Sequence, residues 1–422
     1  MSSYGDCTTL SPHGGRLVRT EQRGANGMTV ARGWSSHADL HLVPDSDLRF
    51  VVVQDPVELA DHVPAWQDLG AHAIEPNPFY EPFMLLPALD AFGKAAALQF
   101  VFIYAVRGAR PALIGFLPME RASQYKGLPL AHLRLWMHRH CYLCTPLIRR
   151  GQAQRCLNGY LDWLTAHDSG LVVEWRKVNG DGPFLTAFTE VLADAHRAYV
   201  PYEFRRALLK PRRDSDSLLK ETHSRKARHE LRRLERRLAE RGEIEYRELQ
   251  NRDDAAQWIG AFLDLESRGW KGRHGSALAC RASDRNFFVH WASEAARRDR
   301  LMMLALAVGG RTVAMKCNVL AGTGAYAFKI TYDEDYARYS PGVLLEMENI
   351  RRFHARGDLQ WMDSCADPAN WMMNHIWPDR RRIATLVMPG SNFAGALFVR
   401  ALPFVRRLKR MALRPPTQPV EG

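Results

Sequence analysis

One order of secondary-structure signals occurs twice along this chain, and a repeat of that length constrains the fold more than any single motif. The first copy has helical spacing over 57–69, then Asn77-Pro78-Phe79-Tyr80, a helix ending near Phe92, a strand over 97–106, a turn at 107–111 and a strand over 112–119. The second has a helix over 253–267, then Asn286-Phe287-Phe288 in a helix running to Arg297, a strand over 301–308, a turn at 309–311 and a strand over 312–320. Two helices followed by two tightly connected strands make a mixed α/β unit. A run as apolar as that from Leu301 to Val308 suits a strand covered on both faces. The chain thus divides into a leader at 1–46, expected to be disordered because it lacks an apolar period, a first α/β unit at 47–210, a second at 211–390 and a tail at 391–422.

With 422 residues, 46% apolar and 25% charged, the chain has material for ordinary cores, which excludes a wholly disordered, collagenous or fibrous protein. No run reaches the roughly 18 nearly uncharged apolar residues of a membrane span, and the first residues lack the basic-then-apolar pattern of a signal peptide. A cytoplasmic location is expected. The seven cysteines, odd in number and scattered, are expected to be reduced. Lys plus Arg number 58 against 46 for Asp plus Glu, a net +12 that favours an anionic partner: a nucleotide-bearing substrate, RNA or an anionic membrane surface.

Two basic segments bear on that choice. Residues 217–241 carry nine basic and four acidic side chains, with Ala227, Leu231, Leu234 and Leu238 spaced as one stripe of a helix and Gly242 as its stop. Either the stripe packs and the charge is solvated, or the charged face meets an anionic substrate or RNA. In 391–414, Phe393, Leu397, Phe398, Leu402, Phe404, Val405 and Leu408 mix with Arg400, Arg406, Arg407, Lys409, Arg410 and Arg414. This reads as a basic amphipathic helix at a membrane surface, interrupted by Pro403, or as a terminal helix docked on its own domain.

The chemistry is sought after the strand that holds Tyr326, Phe328 and Ile330 in alternation with Ala325, Ala327 and Lys329. A charged turn follows, then Ser340-Pro341-Gly342 and a helix with Val343, Leu344, Met347 and Ile350 on one face. Ser at the N-cap, Pro at the first helical position and a Gly that admits a ligand to the backbone suit an anion site, with Arg338 as a second positive group. The first unit has no such helix start, so one such site per chain is expected. His138, His140, Cys141 and Cys144 have a spacing zinc can use, but without a second pair to close a tetrahedron they read as strand, and no metal is expected. Cys365 has no assignable activating base.

The basic helix from Ser224-Arg225-Lys226-Ala227-Arg228, Trp270-Lys271-Gly272, Phe287-Phe288, the strand pair around Gly309-Gly310, Lys329 to Asp333, and Ser340-Pro341-Gly342-Val343-Leu344-Leu345 together resemble the CelD-type acetyltransferases of the GNAT superfamily, which are related to the FemABX peptidyltransferases. The resemblance covers about 215–390, and 47–205 more loosely through Asn77-Pro78-Phe79 and Thr145-Pro146-Leu147. It implies a tandem GNAT fold whose second copy keeps the acyl-donor site, with acetyl-CoA or another acyl-CoA as donor and a small-molecule or saccharide amine as acceptor. CelD-type relatives also point toward polysaccharide or cell-envelope biosynthesis. The chain departs from the family in its pyrophosphate loop, reduced to Arg338-Tyr339-Ser340-Pro341-Gly342-Val343, and at Ala366-Asp367-Pro368-Ala369-Asn370-Trp371, where many relatives carry Gly-Asp-Glu-Xaa-Tyr-Lys.

Acyl transfer to an amine needs a base and donors for an oxyanion. Asp333, Asp363 and His375 are the candidate catalytic residues. Arg338, Ser340, Pro341, Gly342, Val343 and Leu344 are the candidate donor-binding residues, and Trp270, Lys271, Lys329 and Tyr332 the candidate substrate contacts. Two other functions compete: a FemX-like peptidyltransferase using aminoacyl-tRNA, suggested by the net charge and the basic helix, and a non-enzymatic module that binds anionic surfaces.

Overall fold

The computed structural model describes residues 39–42, 47–94, 96–106, 111–167, 170–193 and 198–412. Most of the expected leader, residues 107–110 of the predicted turn at 107–111 and the tail beyond Ala412 lie outside the described residues. The elements of the first half are β1 (Asp39–Leu42), β2 (Leu48–Val53), α1 (Val63–Ala71), α2 (Pro82–Phe92), β3 (Ala97–Ala105), β4 (Ala112–Ala122), β5 (His132–Leu135), β6 (Leu147–Ile148), α3 (Ala153–His167), β7 (Val172–Asn179), α4 (Pro183–Ala193) and β8 (Tyr199–Leu209). Those of the second are α5 (Ser215–Thr222), α6 (Arg225–Ala239), β9 (Ile244–Glu248), α7 (Ala255–Arg268), α8 (Trp270–Arg273), α9 (Ala282–Arg297), β10 (Leu301–Val308), β11 (Arg311–Ala321), β12 (Gly324–Tyr332), α10 (Pro341–Ala355), β13 (Trp361–Asp363), α11 (Trp371–Ile376), β14 (Asp379–Pro389) and α12 (Phe393–Ala412).

One sheet runs through both halves in the order β1-β2-β3-β4-β5-β7-β14-β8-β13-β12-β11-β10-β9, with β6 on the side of β4. The repeat read from sequence is visible in it. Antiparallel β2-β3-β4-β5 leads to β7, parallel to β5, and antiparallel β9-β10-β11-β12 leads to β13, parallel to β12. Every residue of β10 is buried, as its apolar run required. Alternate side chains feed opposite faces: Met303 and Ala305 pack with Phe262, Phe288 and Trp291, and Met302, Leu304 and Leu306 pack with Leu345 and Ile350 of α10.

The last strands of the halves are exchanged. β14 pairs with β7 of the first half, from Ile383 opposite Asn179 to Pro389 opposite Val172, while β8 pairs with β13 of the second through Leu208 opposite Asp363. β8 and β14 then pair with each other, antiparallel, from Asp379–Leu208 to Val387–Tyr199. Side chains tie the halves further: Glu81 at the start of α2 pairs with Arg300, His140 Nε2 lies 2.9 Å from Asp284, and the Tyr326 hydroxyl donates to the Pro76 carbonyl at 2.7 Å.

Two local differences between the halves position the site. β12 and β13 pair over three residues only, Gly324–Trp361 to Tyr326–Asp363, after which β12 runs on to Tyr332 paired with β11 alone and parts from β13. In the first half the corresponding gap is filled. The chain leaves β4 after β5, crosses to β7 and rejoins β4 as β6. Within this crossing the Cys144 N–H donates to the Lys177 carbonyl at 3.0 Å, and the Asn179 N–H to Thr145 Oγ1 at 2.9 Å. Asn77 Nδ2 donates to the Thr145 carbonyl at 2.8 Å, and Arg206 to that of Tyr142 at 2.8 Å. The stretch from His138 to Cys144 is therefore not the strand its apolar residues suggested, because side chains and β7 take its backbone groups.

Three other expectations change in detail. The helix expected from 57 begins as a 3-10 segment, Pro56–His62. The single basic helix is two, because Ser224 Oγ accepts the Ala227 N–H at 3.1 Å and starts α6 afresh; only Leu238 of its stripe is fully buried. The terminal helix continues through Pro403.

Candidate active site

Where β12 outruns β13, a pocket of about 360 Å³ opens. Ile330, Thr331 and Tyr332 line it from β12, and Ser340, Pro341, Gly342 and Val343 from the start of α10. Glu266 of α7, Gly269 with Trp270 and Lys271 of α8, Ala337, and Asn370, Trp371 and Met372 around the start of α11 complete the lining. Seven of the sequence candidates thus meet in one cavity.

The helix start differs from an ordinary cap. Ser340 takes the N-cap position in the left-handed region, φ +52°, and its side chain caps nothing. A non-glycine residue there costs on the order of 1–3 kcal/mol, strain of the kind found at ligand sites. Its carbonyl accepts the N–H groups of Val343 at 2.9 Å and Leu344 at 3.1 Å, its own N–H donates to Ala337, and Pro341 has none to give. The expected cradle of N–H groups therefore narrows to that of Gly342, which has no partner among the described residues. Leu344 turns away into the core, and Arg338 is exposed and folds over the Tyr339 ring, 4.7 Å from its centroid.

Opposite the helix start lies a cluster that the sequence reading reached only in part. Phe328 is the extra residue of a β-bulge, since Cys317 pairs with Lys329 and Asn318 with Ala327. The bulge puts Lys329 on the same face as Phe328, toward α7 and α9, where strict alternation would have sent it to the other. Lys329 Nζ donates to Glu266 at 2.9 Å, and Lys271 Nζ to the same carboxylate at 3.3 Å and to the Ile330 carbonyl at 2.7 Å. The second Glu266 oxygen accepts the Leu278 N–H at 2.8 Å. Burial alone would raise the Glu266 carboxyl above its ordinary value, but Lys329 and Lys271 outweigh it and hold the group lowered. Lys271 is lowered, by burial first and then by the nearby Lys329, against the pull of Glu266. Two ammonium groups share one carboxylate, so this wall carries an excess positive charge.

The three candidate bases do not line the pocket. Asp333 caps the turn that follows β12, accepting the Asp335 N–H at 3.1 Å, and pairs with Arg311 at 2.5 Å. Asp363 is fully buried between Arg206 and Arg381, each donating to it at 2.8 Å; burial opposes its charge, yet the two guanidinium groups hold its carboxyl below the ordinary value. His375 is exposed on α11, stacked on Trp371 at 5.2 Å and edge-on to His223 at 5.4 Å. Glu266 was missed, although one signal was available: it continues the buried series Ala255, Ile259, Phe262, Leu263 on α7, so a carboxylate falls on an apolar face. Trp270, a candidate substrate contact, is exposed at the rim, as is Trp371.

An antiparallel four-strand meander, a parallel strand that parts from it and a helix start beside the gap define the GNAT fold, here in tandem. Residues 225–372 match the acetyltransferase (GNAT) domain family, so the second half is a GNAT domain. Among solved structures, FemX is similar over 81% of this chain and 98% of its own, with 9% identity and a TM-score of 0.52, and the two share a fold. The C-terminal domain of a putative lysylphosphatidylglycerol synthetase from Agrobacterium fabrum aligns over 82% of this chain and 96% of its own, with 14% identity and a TM-score of 0.46. A tandem GNAT protein from the clavulanic acid biosynthesis pathway aligns over 82% and 99%, with 16% identity and a TM-score of 0.39. No curated protein sequence matches. The chain thus has a tandem GNAT fold, with the family match lying in its second half and the likeness to the FemX fold extending over both.

Proposed function

We propose that the chain is an N-acyltransferase that moves an acyl group from acyl-CoA to an amine, with its donor site in the second half. One observation carries this reading: a single pocket joins the free Gly342 N–H, the β12 edge beyond β13, and the Glu266–Lys271 pair, which Lys329 backs from outside the lining. The donor's pyrophosphate sits at the start of α10, where the helix dipole and the Gly342 N–H favour an anion. Its amide-bearing arm lies along β12, and the thioester carbon reaches the lysines.

The acceptor enters past Trp270 and Trp371, whose exposed indoles offer flat apolar faces suited to a small molecule or a saccharide amine. Its nitrogen adds to the thioester carbon, and the Lys271 ammonium stabilises the oxygen that becomes negative. The adduct's ammonium is acidic enough to pass its proton to Glu266 even though that carboxyl is lowered. The C–S bond then breaks, Lys271 protonates the departing thiolate, and Glu266 returns its proton to Lys271 across 3.3 Å. The products are an amide and free coenzyme A.

Thiol release from acetyl-CoA and longer acyl-CoAs against a panel of amino sugars and alkylamines tests this. Glu266→Gln is expected to lower kcat by about 10²- to 10⁴-fold while coenzyme A affinity stays unchanged. Full turnover in that variant removes Glu266 from the mechanism. Transfer of amino acids from charged tRNA, with no thiol release, replaces the reading with a FemX-like one.

A further inference from the structure

The terminal helix α12 has two apolar faces, and the protein uses one. Phe398, Val399 and Leu402 pack on Tyr125, Val172 and Val387, with the Phe398 and Tyr125 rings 5.7 Å apart. On the other side Phe393 is 77%, Leu397 51%, Phe404 70% and Val405 50% exposed. At about 3.6 residues per turn, Phe393, Leu397, Arg400 and Phe404 fall on one stripe roughly opposite the packed face. A helix docked by one side needs only polar residues on the other, so a second apolar stripe has another destination.

Charge selects it. From Phe393 to Ala412 the sequence has five basic residues, Arg400, Arg406, Arg407, Lys409 and Arg410, and no acidic one. A second copy of the chain docking by this stripe would bring like charges together about a two-fold axis. An RNA would satisfy the charge but leave the phenyl rings without an apolar partner. An anionic bilayer surface satisfies both, with rings seated at the headgroup and acyl boundary and basic groups among lipid phosphates. No helix among the described residues is long and apolar enough to cross a membrane, so the contact is with the surface.

We propose that α12 docks the protein on anionic membrane surfaces through the Phe393–Leu397–Phe404 stripe, with its opposite face remaining on the sheet. This is independent of the acyl-transfer reading. It places the enzyme where lipid-linked or envelope precursors would be within reach, but the docking stands whatever the acceptor is.

The test is co-sedimentation of the full chain with vesicles of phosphatidylcholine alone and with about 30% phosphatidylglycerol. Partitioning onto the anionic vesicles is expected to exceed that onto neutral ones by at least about tenfold, and to fall back as salt is raised to about 0.5 M. Phe393→Ser with Phe404→Ser is expected to lower it about tenfold or more, with the thermal midpoint and coenzyme A affinity unchanged, since both side chains are exposed. Arg400→Gln is expected to lower it by up to about fivefold. Absence of binding to anionic vesicles overturns the proposal. So does binding that the double serine variant leaves intact, which would move the contact to another basic surface, or concentration-dependent dimerisation that the variant abolishes, which would make the stripe a self-interface.

Discussion

Gly342 offers a substitution whose effects on stability and on binding should have opposite signs. Its backbone angles are helical, and a Cβ added there would meet only the Tyr332 ring, at 3.4 Å, which is an ordinary contact. Replacing a helical glycine by alanine removes backbone freedom from the unfolded chain, a gain of up to about 1 kcal/mol. The methyl group, however, stands between Gly342 and Tyr332, both of which line the pocket, beside the one N–H at this helix start that is free to meet an anion. A hydrogen bond to a charged group contributes about 1.5–3 kcal/mol, or about 10- to 150-fold in Kd. Gly342→Ala should therefore melt at the wild-type temperature or slightly above it and bind coenzyme A several-fold more weakly. Gly342→Val, with two more carbons in the cleft, should lose binding by the full factor while remaining folded. Titration calorimetry and a melting scan on the same samples measure both. Wild-type affinity in the valine variant would refute the placement of the pyrophosphate at α10.

Calorimetry should also give one coenzyme A per chain, because residues 136–146 of the first half occupy the gap that stays open beside β12; a stoichiometry of two refutes this. Asp363→Asn leaves two buried guanidinium groups without their counter-charge and should cost about 3 kcal/mol or more at pH 7, a fall in thermal midpoint of roughly 4 °C. Since the folded-state carboxyl lies below its ordinary 3.8, its stabilising contribution is present above about pH 4 and is lost as pH falls through the folded value, so variant and wild type should converge in acid. Replacing Arg232, Arg233, Arg236 and Arg237 by Gln on α6, which packs against the turn leading to Ser340, should weaken donor affinity at low salt, with little effect on kcat. The difference should fade as the Debye length shrinks from about 10 Å at 0.1 M to about 3 Å at 1 M salt.

Much of the fold was legible because periodicity is local. The runs 97–106, 301–308 and 312–320 became β3, β10 and β11 within a residue of their expected ends, and Ser340-Pro341-Gly342 did start a helix at a pocket. What the sequence hid depended on distant partners. Nothing in Ile383 or Val173 says that β14 will lie on β7, because strand patterns encode which face is buried and not which neighbour is chosen. The crossing from His138 to Cys144 has the apolar residues of a strand, and only the polar groups of Asn77, Arg206 and β7 make its irregular path tenable. Glu266 was passed over because a carboxylate in a helix is ordinarily solvated. Two lysines from other elements make its burial possible, and one of them arrives through a bulge that periodic reading does not foresee.

The exchanged strands also set a schedule for making this protein. At about 5–20 residues per second, roughly 170 residues separating the end of β8 from the start of β14 take on the order of 10–30 s to synthesise. During that interval β7 presents an edge whose partner has not yet been made, and β8 has neither of its neighbours. An open edge of that kind invites pairing with another chain. Truncation anywhere before Asp379 should make that condition permanent, so the first half by itself is expected to be an aggregating fragment and not a small domain. The same dependence binds the second half to the first: β13, three residues long, has the first half's β8 along one side, and the strand from which β12 parts at the pocket is held in place by residues translated long before it.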